Sequence, residues 1–266
     1  MEFEVQSAER LVWARSVRRL AFEPHGWQVE FREALRTALE ALPRTASGAL
    51  LATYDAPDSS TVDVENVLLY NVGTGVFRRL VAGGVTCRRG RSGDGWHHVR
   101  YEVVDEAPAS GGAATVACAA VEMGDRLPQT AGGFWAALRP GLQRLGPPLP
   151  ADTRFTVDLT VSGPAAADRL AAMTKPLLDG WISAVHCHDG SAREELVPRL
   201  AELGDPSKVW AQLCDAAAAM LDTRTLVRPF RDGVAWNPAD DRCDAFRILP
   251  RPQRSWSVTG ALRAAA

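Results

Sequence analysis

Apolar residues recur along this chain with two periods, and the changes of period divide it into elements. Between residues 26 and 42, Trp27, Phe31, Leu35, Leu39 and Leu42 fall three or four positions apart. That spacing lays one apolar stripe along a helix, which Pro43 closes. Short apolar runs bounded by turn-forming residues predict strands at 11–20, 49–54, 84–89, 96–104, 114–122, 155–161, 226–230 and 243–249. Helical spacing returns at 134–145, 168–186, 192–203 and 207–221. In the longest of these, Pro176 is tolerable only near a kink or an early turn. A short helix runs through Tyr70, and Thr61 or Asp63 offers a side-chain oxygen to cap its free amides.

The pattern repeats. Residues 27–70 read helix, strand, then a polar-tipped loop feeding a second helix, and residues 134–189 read the same way. The expected architecture is α+β, with two similar sheet-plus-helix units forming an intramolecular pseudo-dimer. The first unit covers 1–106 and the second 107–250, with helices inserted at 192–221. A soft segment, Glu106-Ala-Pro-Ala-Ser-Gly-Gly-Ala, separates them. Residues 251–266 have little to bury and read as a mobile tail.

Composition narrows the class. An apolar fraction of 46% over 266 residues is that of a folded globule. No apolar run approaches the roughly 18 residues that cross a bilayer, and the opening Met-Glu-Phe-Glu-Val has the wrong charge for a signal peptide. The expected location is the cytoplasm, with no membrane partner. Five scattered cysteines form no Cys-x-x-Cys pair, which argues against a disulfide framework or a zinc ribbon. A net charge of −2 gives no global attraction to nucleic acid, so a basic surface would have to be local. The best local candidate is Arg78, Arg79, Arg88, Arg89 and Arg91, five arginines within fourteen residues, followed by Trp96 and His97. Such a run serves equally well as a solvated surface.

Candidate chemistry concentrates in three places. Asp63-Val-Glu65-Asn66 puts two acids two residues apart at a strand-to-helix turn, which can aim both at one point. Magnesium takes oxygen ligands and keeps several waters, so two or three carboxylates suffice to hold it. The plain alternative is that these acids cap the helix and meet its dipole. Lys175 and Asp179 lie four apart on one helix face, an ion pair in either reading. Asp240-Asp241 precede the final predicted strand, and Asp189 is a further acid just after the longest predicted helix. His186-Cys187-His188-Asp189 could hold zinc, but no second histidine group has zinc spacing, and a helix-end role is favoured. His97 and His98 point to opposite faces of a strand and cannot chelate together. The glycines of Asn71-Val-Gly-Thr-Gly75 lack the spacing and lysine of a phosphate loop, and no serine or cysteine triad signature is present.

Those residues carry a resemblance. The first unit is similar to the RusA-like Holliday-junction resolvases, in which a strand leads into Asp-x-Asp-Asn, the next helix carries a Lys and a later Asp, and an Asp-Asp pair precedes the last strand. The resemblance implies that Asp63 and Glu65 take the motif acids' places and Asn66 the Asn, while Leu69 and Gly73 stand where the Lys and later Asp belong. In the second unit Lys175 and Asp179 keep that four-residue separation, but Arg169-Leu-Ala-Ala172 stands where the acids belong, with Asp168 one place out of step. It further implies catalytic roles for Asp63, Glu65, Lys175, Asp240 and Asp241, and magnesium held by Asp63, Glu65 and Asp240. Because each half lacks part of the set, the favoured expectation is a catalytically degenerate module, without metal, that binds structured DNA or a co-encoded protein in a nucleic-acid-handling system. The alternatives are an active magnesium-dependent endonuclease on branched DNA and an unrelated cytoplasmic metabolic enzyme.

Overall fold

The computed structural model describes residues 2–43, 48–58, 62–109 and 113–265. The first half runs β1 (Phe3–Ala8), β2 (Leu11–Ser16), α1 (Trp27–Glu40), β3 (Ala49–Ala56), a π-helical turn (Asn66–Tyr70), α2 (Thr74–Phe77), β4 (Val85–Arg91) and β5 (His97–Val104). The second runs β6 (Ala114–Gly124), α3 (Ala131–Leu138), β7 (Leu142–Arg144), β8 (Phe155–Gly163) and α4 (Ala166–Ala184). An insertion follows, carrying β9 (Cys187–His188), α5 (Arg193–Arg199), α6 (Pro206–Leu213), β10 (Thr223–Arg224), β11 (Val227–Phe230) and β12 (Gly233–Trp236). The chain closes with β13 (Cys243–Pro252) and β14 (Trp256–Ala264). The class is α+β.

Among the described residues one mixed sheet of ten strands has the order β1-β2-β5-β3-β4-β13-β8-β14-β6-β7. In the first half β2 and β5 pair antiparallel, β5 and β3 antiparallel, and β3 and β4 parallel. In the second half β6, β14, β8 and β13 stand in the same order with the same directions. The halves meet where β4 and β13 pair antiparallel, Cys87 opposite Phe246 and Arg88 opposite Ala245. The elements joining the strands also correspond: α1 matches α3, and the π-turn with α2 matches α4.

Alternation along the strands separates two faces. One cross-strand row, Ala52, Cys87, Phe246 and Val157, is fully buried. Its neighbour, Thr53, Arg88, Ala245 and Thr156, is half-exposed. On the buried side α1 packs Phe31, Leu35 and Leu39, each burial contributing roughly 1.5–3 kcal/mol. There α4 crosses α3 so closely that a Cβ on Gly180 would lie 2.5 Å from Phe134 Cβ and 2.7 Å from the Ala131 carbonyl oxygen.

Several boundaries differ from expectation, each for a local reason. The acidic N-terminus forms β1, a hairpin strand beside β2. The helix expected over 134–145 starts at Ala131, where Thr130 Oγ1 accepts from the Gly133 amide, and stops before Pro140. The helix expected to reach residue 221 ends at Leu213, because Asp215 caps a separate turn. By contrast, α4 runs unbroken through Pro176, held by packing against α3 and β13 that outweighs the one missing amide. The start of the soft segment lies against the sheet, with Ala107 buried and Thr86 Oγ1 donating to the Pro108 carbonyl, while residues 110–112 lie outside the described residues. The presumed mobile tail is corrected outright. Residues 256–264 are β14, paired on both sides, with Trp256, Val258 and Leu262 buried. No helix among the described residues is long and apolar enough to cross a membrane.

Candidate functional site

Three segments distant in sequence meet at the β4–β13 seam. The first follows β3. Asp63 Oδ1 accepts from the main-chain amides of Glu65 (3.1 Å) and Asn66 (3.2 Å), capping the turn that leads into the π-helix. Thr61, the other expected cap, lies outside the described residues. The second Asp63 oxygen, Oδ2, is left to face the site, where it accepts from the Asn66 side-chain amide. One oxygen of Asp63 therefore caps the turn, and the other is turned toward Asn66 and Lys175.

The second segment is α4. Lys175 Nζ reaches Asp63 Oδ2 at 3.2 Å, Glu65 Oε2 at 3.3 Å and, one helical turn along its own face, Asp179 Oδ1 at 3.4 Å. The third is the 3₁₀ turn Asp240–Arg242 just before β13, from which Asp240 hydrogen-bonds to Asp63. Arg89 on β4 ties the first and third segments together. It donates to the Val62 carbonyl (3.1 Å), the Asp241 carbonyl (3.1 Å) and the Asp244 carboxylate (2.6 Å). On the other side of Asp240, the buried His186 ring accepts the Ala239 amide at Nε2 and faces the Asp222 carbonyl through Nδ1.

Four carboxylates thus surround one ammonium in partly dry surroundings. Burial pushes Glu65 up to about 8, against the pull of Lys175 and with repulsion from Asp63 and Asp179. Asp240 is raised to about 8 by burial, then by Asp63 and Asp179. Asp179 rises to about 6 for the same reasons, Lys175 pulling it back. Burial works against the Lys175 ammonium, but Glu65, Asp179, Asp63 and Asp240 outweigh it and hold it firmly charged. The hydrogen bond between the Asp240 and Asp63 carboxyl groups needs a proton, and the raised Asp240 supplies it. Glu65 Oε1 is buried without a partner, an arrangement that favours the protonated acid or a second cation.

Magnesium can be tested against these residues. The donors are all carboxylate oxygens, the set this ion prefers, and their charge exceeds what one ammonium balances. Among the described residues no three His, Cys, Asp or Glu side chains stand grouped to hold a metal. Magnesium, however, is commonly bound through one or two carboxylates with water completing its shell. Asp63 and Asp240, whose carboxyls face each other, fit that smaller requirement, and the unpartnered Glu65 oxygen is a further donor.

Of the residues singled out from sequence, Asp63, Glu65, Lys175, Asp179 and Asp240 come together. Asp241 contributes its carbonyl to Arg89. Asp189 is bound to Ser191 and Thr225, which hold its carboxylate at about 2 against the effect of burial. The His186 and His188 rings take their hydrogen bonds from residues after α4, His186 from Asp222 and Ala239 and His188 from Ser191 and Leu226. Both pin the insertion, His188 accepting the Leu226 amide at Nδ1. His97 meets Tyr54 and His98 meets Asp94, on opposite faces as expected. The five arginines do not share one surface. Arg89 is the buried clamp, Arg88 points to the other side of β4, and Arg78 and Arg79 are exposed beyond α2, on a groove that also includes Asp168.

Pattern reading missed the rim of the site. A cleft of about 510 Å³ opens over Asp63 and Lys175, lined also by Arg19, Phe22, Asn66 and Tyr70. Phe22 and Tyr70 are 58% and 43% exposed and stack with ring centres 5.4 Å apart and planes 7° off parallel. The one signal available in the sequence was the placement of Tyr70 at the polar end of an otherwise apolar helical run. Comparison of the chain with family models, with curated proteins and with solved structures found no match.

Proposed function

We propose that this protein is a magnesium-dependent phosphodiesterase acting on structured nucleic acid, with one composite site assembled from the two halves of an internal duplication. The observation that carries the proposal is Lys175. From the second half it contacts Asp63 and Glu65 of the first, while Asp240 joins Asp63 from the turn before β13. Each half lacks part of the expected set, and the missing parts complement each other at a single point. That convergence favours an active enzyme over the degenerate module expected from sequence. The matching strand order and direction of the halves supports the duplication, and the resemblance to RusA-like resolvases makes branched DNA the first substrate to try.

The roles follow from the geometry. Asp63 and Asp240 would hold the cation, Asp240 giving up its proton for it, and Glu65 would orient its water shell. A divalent ion there polarises a phosphodiester and acidifies an attacking water. Lys175, charged at any working pH, would exchange one carboxylate for a non-bridging phosphate oxygen and stabilise charge gathering on it. Arg89 would fix the separation of the two acid-bearing turns. Asp179 keeps the ammonium aimed inward.

The test is cleavage of a four-way DNA junction and of single-stranded DNA and RNA with magnesium. Wild type should cleave at least one of these, and Asp63→Asn and Lys175→Met should each lose about a hundredfold or more. Magnesium-dependent cleavage unchanged in Asp63→Asn overturns the assignment. A second reading draws on the same lysine: an ammonium with three carboxylate partners reaches no phosphate without giving one up, as in an inert binding module. Tight junction binding by wild type with no cleavage under any divalent cation would select that reading.

A further inference from the structure

The cleft above the carboxylates has a feature that phosphodiester chemistry alone does not require. Two aromatic rings stand at its rim, both among the few large apolar side chains left exposed in the described residues. They come from separate elements, Phe22 from the loop before α1 and Tyr70 from the end of the π-helical turn. Parallel stacking joins them into one short aromatic stack, the platform at the rim of the cleft. Exposed apolar surface of this size has a free-energy cost in water that packing against the core would have removed. Around the platform the cleft is not apolar. Arg19 and Lys175 bring positive charge, and Asn66 and Asn71 bring amides. Asn71 is bound to the Leu20 carbonyl, which links the two loops that present the rings.

We infer that this platform stacks an unpaired nucleobase, so that the preferred substrate is a single-stranded or locally unpaired nucleic acid whose phosphate lies over Asp63 and Lys175. The inference rests on the phosphodiesterase reading and names its substrate class. A base presents the flat π-face that continues an aromatic stack, and stacking of this kind tolerates any base. The phosphate that accompanies it meets Arg19, and Lys175 once that ammonium gives up one of its carboxylates, a polar partnership that a purely apolar occupant would not satisfy. In a duplex both faces of each base are already stacked, so paired DNA gains nothing from the platform.

The experiment uses the full-length protein with chelator present, so that binding is read without turnover. The probe is an oligonucleotide carrying 2-aminopurine, whose fluorescence is quenched by stacking, either single-stranded or in a perfect duplex. Wild type should quench the unpaired probe and bind it more tightly than the duplex. Phe22→Ala and Tyr70→Ala should each weaken single-strand binding about tenfold and abolish quenching, with duplex binding unchanged. Tyr70→Phe should behave as wild type. Both positions are exposed, so neither substitution threatens the fold. Equal quenching and affinity in the alanine variants overturns the platform, while cleavage by wild type would leave the catalytic reading intact. Loss of stacking in those variants alongside a wild type that never cleaves leaves the platform standing and removes the catalyst. A wild type that binds neither probe overturns both.

Discussion

Lys175 Nζ stands 3.2 Å from Asp63 Oδ2, a contact between residues 112 positions apart in the chain. The two side chains belong to different halves, and one ammonium is set against four carboxylates. Removing it leaves acids that must either repel one another or take up protons. Lys175→Met should therefore lower stability by about 3 kcal/mol near neutral pH, as breaking a largely buried ion pair does. Adding Asp63→Asn should restore part of that loss. Chemical denaturation of the two single variants and the double variant checks it, and strict additivity would show that the residues are not coupled.

Asp240 gives the stability a pH dependence of definite sign. Its carboxyl is raised from 3.8 to about 8 by burial, Asp63 and Asp179. Across that interval the folded chain keeps a proton that the unfolded chain has released. Stability therefore falls as pH rises through the window, and the loss is complete only above about 8. Asp240→Asn removes the penalty. Its melting temperature should exceed that of wild type by several degrees at pH ~8.5 and converge with it near pH ~4. A difference that stays flat across this range would contradict the assigned environment.

Cation binding should be linked to the same proton. If magnesium replaces the proton on Asp240, binding releases it, and affinity climbs with pH up to about 8. Titration calorimetry in two buffers of different ionisation enthalpy measures the release directly. We expect between about half a proton and one proton per ion near pH ~7, and no heat with Asp63→Asn. Equal heats in both buffers would mean that the ion binds elsewhere or without exchange.

Arg89 holds Val62, Asp241 and Asp244 with one planar fork. Arg89→Met should cost about 3 kcal/mol, because Asp244 is then left to the half-exposed Arg154 alone. Arg89→Lys should recover little, since an ammonium cannot span three acceptors in one plane. In the cleavage assay both variants should lower kcat more than they raise KM, the signature of a displaced site rather than weaker substrate binding. A pure KM effect would place Arg89 on the substrate instead.

Gly180 tests the close crossing of α3 and α4. An added methyl meets Phe134 and the Ala131 carbonyl at separations that real Cβ atoms do not show. Gly180→Ala should destabilise the chain by about 2–3 kcal/mol despite alanine's better helix propensity. A gain in melting temperature would mean that the helices separate freely.

Much of the fold was legible because it is local. The stripe of Phe31, Leu35 and Leu39 and the run 49–54 each carry their apolar positions in the pattern of a single element, so the local pattern alone reveals them. The helix–strand–loop–helix repeat was legible for the same reason, as was the pairing of Lys175 with Asp179, one helical turn apart. Strand β14 was missed because its small and polar residues, Ser257, Thr259, Gly260 and Ala261, carry little apolar signal. Its place comes from neighbours on both sides that supply the hydrogen bonds.

What the sequence determined by itself was the stock of elements and the presence of carboxylates and a lysine at turn and helix positions. Whether those groups belong to one site depended on which strands became neighbours, and no spacing along the chain encodes that. Pairing of β4 with β13 brought Asp63 and Glu65 under Lys175 and beside Asp240. Alternation along β4 puts Arg88 and Arg89 on opposite faces, and the same pairing gives Arg89 its partners Asp241 and Asp244, which makes it a clamp and divides an apparent basic run in two. Strand pairing and burial act between residues a hundred or more positions apart, and charge, exposure and proton affinity at this site are consequences of that packing.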